Sequence, residues 1–106
     1  MRRVWFKKEM REAILAGEKT ATSRLHPLAL GRVQAVSGSR FKAQVFGILE
    51  IVDRIPSTWR MIIRMFYSEE GFGSPEEMEA YGLKQGLVKN LDDPAFFHRF
   101  KLVGVA

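Results

Sequence analysis

Cysteine is absent from this 106-residue chain. Disulfides, zinc–thiolate centres and cysteine nucleophiles are excluded at once, and the composition suits a reducing, cytoplasmic setting. Histidine is nearly as scarce, with only His26 and His98. A metal site would have to rest mainly on carboxylates, and none of these cluster, so no metal or other cofactor is expected. No apolar run approaches the roughly 20 residues needed to span a bilayer. The basic opening Met1-Arg2-Arg3-Val4-Trp5-Phe6 lacks the long apolar core of a secretory signal and reads instead as a first strand. Repeats, low-complexity tracts and linkers are also missing. Asparagine and glutamine are few, one and three, a bias that fits a heat-adapted protein.

What is present is a single domain, residues 1–106, with an ordinary apolar share of 46% and an uneven charge. Residues 1–24 hold seven Lys/Arg against three Glu, residues 25–56 four against two, and residues 57–106 six against seven. The net charge of +5 therefore resides in the N-terminal half. A basic half attracts polyanions by releasing counterions, and nucleic acid is the commonest such partner.

Hydrophobic periodicity divides the chain into eight elements. Val4–Phe6 is a short strand. From Lys7 to Ala16 the apolar residues Met10, Ala13, Ile14 and Leu15 recur at helical steps, and Gly17 stops the helix. Thr20–Arg24 is a strand with Thr20, Thr22 and Arg24 on one face and Ala21 and Ser23 on the other. After a loop around Pro27, Val33–Val36 forms a strand and Ser37-Gly38-Ser39 a turn. Phe41–Val52 is the longest apolar stretch, a central strand with Gly47 at a bend or bulge. Pro56 closes it. Ser57 or Thr58 caps a helix carrying Trp59, Ile62, Ile63, Phe66 and Tyr67. Ser74-Pro75-Glu76-Glu77 starts another, running to about Tyr81. Phe96–Val105 is the last strand, with Phe96, His98, Phe100 and Leu102 along one side. Too few helices accompany these short strands to cover two faces of a doubly wound sheet. The expected fold class is α+β, a small, mostly antiparallel, curled β-barrel with flanking helices.

Gly17-Glu18-Lys19-Thr20-Ala21-Thr22-Ser23-Arg24 is the most chemically loaded segment. It sets an ammonium, hydroxyls and a guanidinium where a helix hands over to a strand, equipment for holding a phosphate or a nucleobase. Lys19 can neutralise a phosphate or, with a depressed pKa, accept a proton; otherwise it is a solvated lysine beside a glycine cap. Thr22 and Thr20 can hydrogen-bond a base edge or serve as nucleophile, or simply fill strand positions. Arg24 can fork onto a phosphate, or pair internally with Glu50, Glu69 or Glu70. His26, in a loop near the segment, is the better candidate base, since His98 sits mid-strand among phenylalanines. Trp5, Trp59, Phe72 and Tyr81 are the aromatics available to stack on a base, with core packing as the ordinary alternative.

The spacing Gly-x-Lys-x-x-Thr-x-Arg, met by Gly17, Lys19, Thr22 and Arg24, resembles the signature of the ASCH family, a branch of the PUA-like superfold. Ile14-Leu15-Ala16-Gly17, Leu49-Glu50-Ile51, Glu70-Gly71-Phe72 with Ser74-Pro75-Glu76-Glu77, and Phe100-Lys101-Leu102-Val103 extend the resemblance over nearly the whole chain. It departs at Gly31-Arg32, where the family often has Gly-Asp; Arg32 makes that neighbourhood more basic and joins the candidate RNA contacts.

The resemblance implies a PUA-like barrel whose relatives bind RNA. Other members remove an acyl group from N4-acetylcytidine with a Lys, a Thr and a Glu, and still others are described as ribonucleases. Carried over, the catalytic set is Lys19, Thr22 and Glu70, with the register between Glu69 and Glu70 open. The RNA or nucleoside contacts are Lys19, Thr20, Thr22, Arg24, His26 and Arg32. The basic half favours a polymeric ligand, which places RNA binding, in translation or RNA processing, ahead of hydrolysis; an accessory module for another protein is a third class.

Overall fold

A computed structural model describes residues 1–106. The elements follow in the expected order: β1 (Arg3–Trp5), α1 (Lys8–Leu15), β2 (Ala21–Arg24), β3 (Gly31–Ser37), β4 (Gln44–Thr58), α2 (Trp59–Phe66), α3 (Pro75–Lys84) and β5 (Pro94–Val105). The strands form one curled sheet in the order β1-β3-β4-β5-β2. Only the β1–β3 pair is parallel. The margins β1 and β2 share no ladder. Their seam is spanned by the Arg24 guanidinium, whose Nη2 donates to the Trp5 carbonyl at 2.8 Å.

The curl comes from bulges. Register shifts leave Phe46 unpaired beside Gly47 in β4, and further irregularities fall at Val52 in β4 and Val103 in β5. Each extra residue bends its strand and sharpens the local twist. Pro56 does not end β4, contrary to the expectation from its missing N–H. β3 pairs no further than Ile51, so residues beyond it have β5 alone as a neighbour, and Pro56 lies opposite Phe96. Proline is tolerated on such a locally one-sided segment.

The side chains sort into two cores. One gathers Val4, Phe6, Ile14, Val33, Ala35, Phe46, Leu49, Ile51 and Phe100 beneath α1. The other gathers Ala21, Trp59, Ile62, Ile63, Met78, Val88, Ala95 and Phe97 beneath α2 and α3. β5 serves both cores, so Phe97 is buried as fully as His98 and the one-sided pattern expected for this strand is incomplete. The Thr58 hydroxyl caps α2 by accepting from Met61 N–H, and the Ser74 hydroxyl caps α3 by accepting from Glu77 N–H; each cap contributes about 1 kcal/mol. α3 continues past Tyr81 to Lys84, and within it Gly82 is buried against Val88, whose side chain a Cβ would meet at 2.7 Å. No helix is long and apolar enough to cross a membrane.

Candidate active site

Two backbone turns bring the chemistry together. Gly17 leaves α1 at φ 78°, and the N–H groups of Glu18 and Lys19 both fold back onto the Ala13 carbonyl. That turn aims Lys19 inward. After α2 the chain reverses at Gly71, φ 95°, where the missing Cβ would stand 3.2 Å from the Lys19 Cβ. A side chain here would be strained by the backbone and crowded by Lys19 together. The Glu69 carbonyl then accepts from Thr20 N–H at 2.8 Å and Ala21 N–H at 3.1 Å, docking the second turn onto the start of β2.

The result is a buried ionic cluster. Lys19 Nζ lies 3.3 Å from Glu70 Oε1 and donates to the Glu70 carbonyl at 3.1 Å. Both residues are only 4% exposed. The other Glu70 oxygen accepts a hydrogen bond from the Ser23 hydroxyl. Burial lowers the Lys19 pKa; Glu70 opposes that shift and the nearby Arg24 adds to it. The ammonium is therefore easier to deprotonate than an ordinary lysine.

Thr22, 5% exposed, lines the same hollow as this pair, and its hydroxyl makes no hydrogen bond to another protein group. Its backbone is held instead. His98 is completely buried; its Nε2 accepts from Leu28 N–H at 2.9 Å, so its Nδ1 carries the proton and donates to the Thr22 carbonyl at 3.2 Å. Burial keeps the His98 pKa below the ordinary histidine value, partly offset by the bond to Thr22. His98 is thus a neutral strut.

Lys19, Thr22, Ser23, Arg24 and Glu70 line one cavity of about 170 Å³, located between the two cores. Trp5, Trp59, Phe72 and Tyr81 line it too, so all four aromatics singled out in the sequence face the same hollow. Arg24 forms no ion pair; its guanidinium stacks 5.0 Å from the Phe6 ring centroid, and burial lowers its pKa against the pull of Glu70. Tyr81 donates to Glu9 at 3.2 Å; burial, with Glu9 adding to it, pushes its pKa up to about 12, so the ring enters the cavity wall as a neutral phenol.

The other candidates fall elsewhere. His26 lines an adjoining outer pocket. Thr20 and Arg32 are both exposed, and neither lines the cavity or the pocket beside it. Glu69 faces outward, clamped by Arg99 at 2.7 and 3.1 Å, which settles Glu70 as the carboxylate in the hollow. Strict alternation puts Ser23 on the opposite face from Thr22, yet both line the cavity because β2 is an edge strand and the hollow wraps its margin. No group of three His, Asp or Glu side chains is placed to hold a metal ion.

No family model and no curated protein matches the chain. Solved structures do. A protein from Enterococcus faecalis V583 described by the family model DUF984 superposes with a TM-score of 0.71 at 14% identity, covering 99% of this chain and 77% of that one. The ASCH protein from Zymomonas mobilis gives 0.68 at 17% identity over 93% of this chain and 65% of its own. The ASCH domain from Lactobacillus crispatus JV V101 gives 0.65 at 16% identity over 91% and 71%. The chain thus spans about two thirds of the ASCH structures it matches. At these identities the likeness is one of architecture, and the chain has the curled, PUA-like fold of an ASCH domain.

Proposed function

We propose that the cavity is the active site of an amidohydrolase acting on an acylated nucleobase, of which N4-acetylcytidine is the model substrate. The observation that carries this reading is the convergence of the Lys19 amine, the uncommitted Thr22 hydroxyl and the Glu70 carboxylate in one aromatic-lined hollow. A hollow of this size admits a planar base with its acyl group, which the four aromatic side chains can sandwich.

In the proposed cycle the lysine, in its free-amine form, takes the Thr22 proton as the oxygen attacks the amide carbonyl. The oxyanion that develops is balanced by the Lys19 ammonium formed in that step. The proton passes through Glu70 to the departing amine as the C–N bond breaks. Water, activated by the same pair, then cleaves the acyl–threonine ester and releases the carboxylic acid. Ser23 holds the Glu70 carboxylate in place through its hydrogen bond. Proton transfer by a positioned base of this kind is worth about 10²–10⁴ in rate.

Incubation of the purified protein with N4-acetylcytidine should release cytidine and acetate, measured by chromatography, with turnover lost in Thr22→Ala. The competing reading, RNA binding, draws on the +4 balance of residues 1–24. Protein that is inert toward acylated cytidines but binds RNA with a steep salt dependence would replace the first reading by the second.

A further inference from the structure

Next to the deep cavity lies a second pocket of about 370 Å³, whose own residues Leu25, His26, Leu28 and Gly86 have no part in the proposed chemistry. Ser23, Arg24, Trp59 and Leu87 belong to the walls of both, so the two hollows meet along a shared partition. We propose that this outer pocket is a second subsite, for the sugar and phosphate of a nucleotide whose base occupies the deep cavity. The inference rests on the placement of the base given above and narrows the substrate from a nucleoside to a nucleotide.

Three observations carry it. Arg24, half-buried in the partition, spends one N–H on the Trp5 carbonyl and has no carboxylate within ion-pairing distance, so a partly desolvated guanidinium stands ready for an anion. Trp59 is 5% exposed, and its indole N–H is buried without an acceptor. Unpaired buried donors are rare in native proteins, and this one belongs to a side chain that lines both hollows, so its environment changes when the partition is contacted. The third is preorganisation. The loop bearing His26 is pinned at Leu28 from both sides of its backbone: His98 accepts from the Leu28 N–H, and Arg54 donates to the Leu28 carbonyl at 3.1 Å. His26 is held at the pocket by a loop that does not have to be ordered on binding. The apolar sides of Leu25 and Leu87 suit the sugar, and Arg24 with His26 suits the phosphate.

Calorimetric titration of the full chain with cytidine and with cytidine 5′-monophosphate reads this directly. The monophosphate should bind roughly tenfold or more tightly, the range of one or two hydrogen bonds to a charged group. The Trp59 indole ¹H–¹⁵N resonance should shift with it. His26→Ala and Arg24→Gln should each narrow the gap several-fold, whereas Arg40→Ala, which removes a cation lining neither pocket, should preserve it. Equal affinities, a gap that shrinks as much in Arg40→Ala, or no binding of either compound overturns the subsite. A short RNA with the base internal separates the sources of phosphate: tighter binding than the monophosphate assigns it to a polynucleotide, weaker binding to a free nucleotide, and the subsite stands in both cases. Hydrolysis of N4-acetylcytidine with equal affinities refutes the subsite alone; a persistent phosphate preference without hydrolysis refutes the amidohydrolase alone.

Discussion

Glu69 and Glu70 are neighbours in the chain and opposites in the fold. Glu69 lies on the outer flank, gripped by Arg99, which also reaches Asp53 at 3.5 Å and stacks on Phe66 and Phe97. Glu70 is buried against Lys19 with only the Ser23 hydroxyl to satisfy its second oxygen. The outer cluster is partly solvated, rich in partners and adds modestly to stability. The inner one takes two charges out of water for one 3.3 Å ion pair and two hydrogen bonds, which desolvation makes a poor way to stabilise a fold. That a pair so costly to bury lines a hollow is what the proposed chemistry would use.

The comparison breaks first at activity. Glu70→Gln should lower kcat/KM for N4-acetylcytidine by about 10²–10⁴, while Glu69→Gln should leave it within a few-fold. Equal losses would mean that both carboxylates serve only the fold.

Stability sharpens it next. Lys19→Met strands a buried carboxylate and should cost about 3–5 kcal/mol in denaturant unfolding, whereas Lys19→Met with Glu70→Met together should recover most of that. A double variant as unstable as the single one would make the pair structural. Gly71→Ala should follow at about 1–2 kcal/mol, from the left-handed backbone and the approach to Lys19.

Titration separates the clusters more finely. With the folded-state pKa of Lys19 below its unfolded value of 10.5, the unfolded chain binds the extra proton between the two values. Stability should therefore rise with pH through that window, and kcat/KM should rise with an apparent pKa below 10.5 as the free amine appears. His98, also lowered from 6.5, acts at the acid end: the unfolded chain takes up its proton first as pH falls below 6.5, and stability is lost there. The smallest effect belongs to Arg99→Met, at about 1 kcal/mol or less for a largely exposed network, measured by thermal unfolding.

Much of this was legible in the residues. The order of all eight elements follows from periodicity and punctuation, because glycines, capping residues and the Ser-Pro start act locally. The helix-to-strand handover at Gly17–Arg24 was legible for the same reason. What sequence could not supply was set by neighbours far along the chain. The passage of β4 through Pro56 depends on where β3 stops pairing. Glu70 rather than Glu69 faces the hollow because Arg99, some thirty residues on, claims the other carboxylate. Ser23 joins the site through the curvature of the edge strand, which strict alternation ignores. Its one readable signal was its place between Thr22 and Arg24.

The seam between β1 and β2 has a mechanical consequence. A fully closed barrel admits a bulkier guest only by tearing ladder bonds, several at a time. Here the margins are tied by one arginine lying on a phenylalanine ring, so parting them costs roughly one hydrogen bond, about 1 kcal/mol, and a cation–ring contact. The same arginine stands in the wall between the two pockets. The latch of the sheet and the divider of the chamber are a single side chain, so the proposed anion, in drawing the guanidinium toward itself, would compete for the bond that ties the two margins.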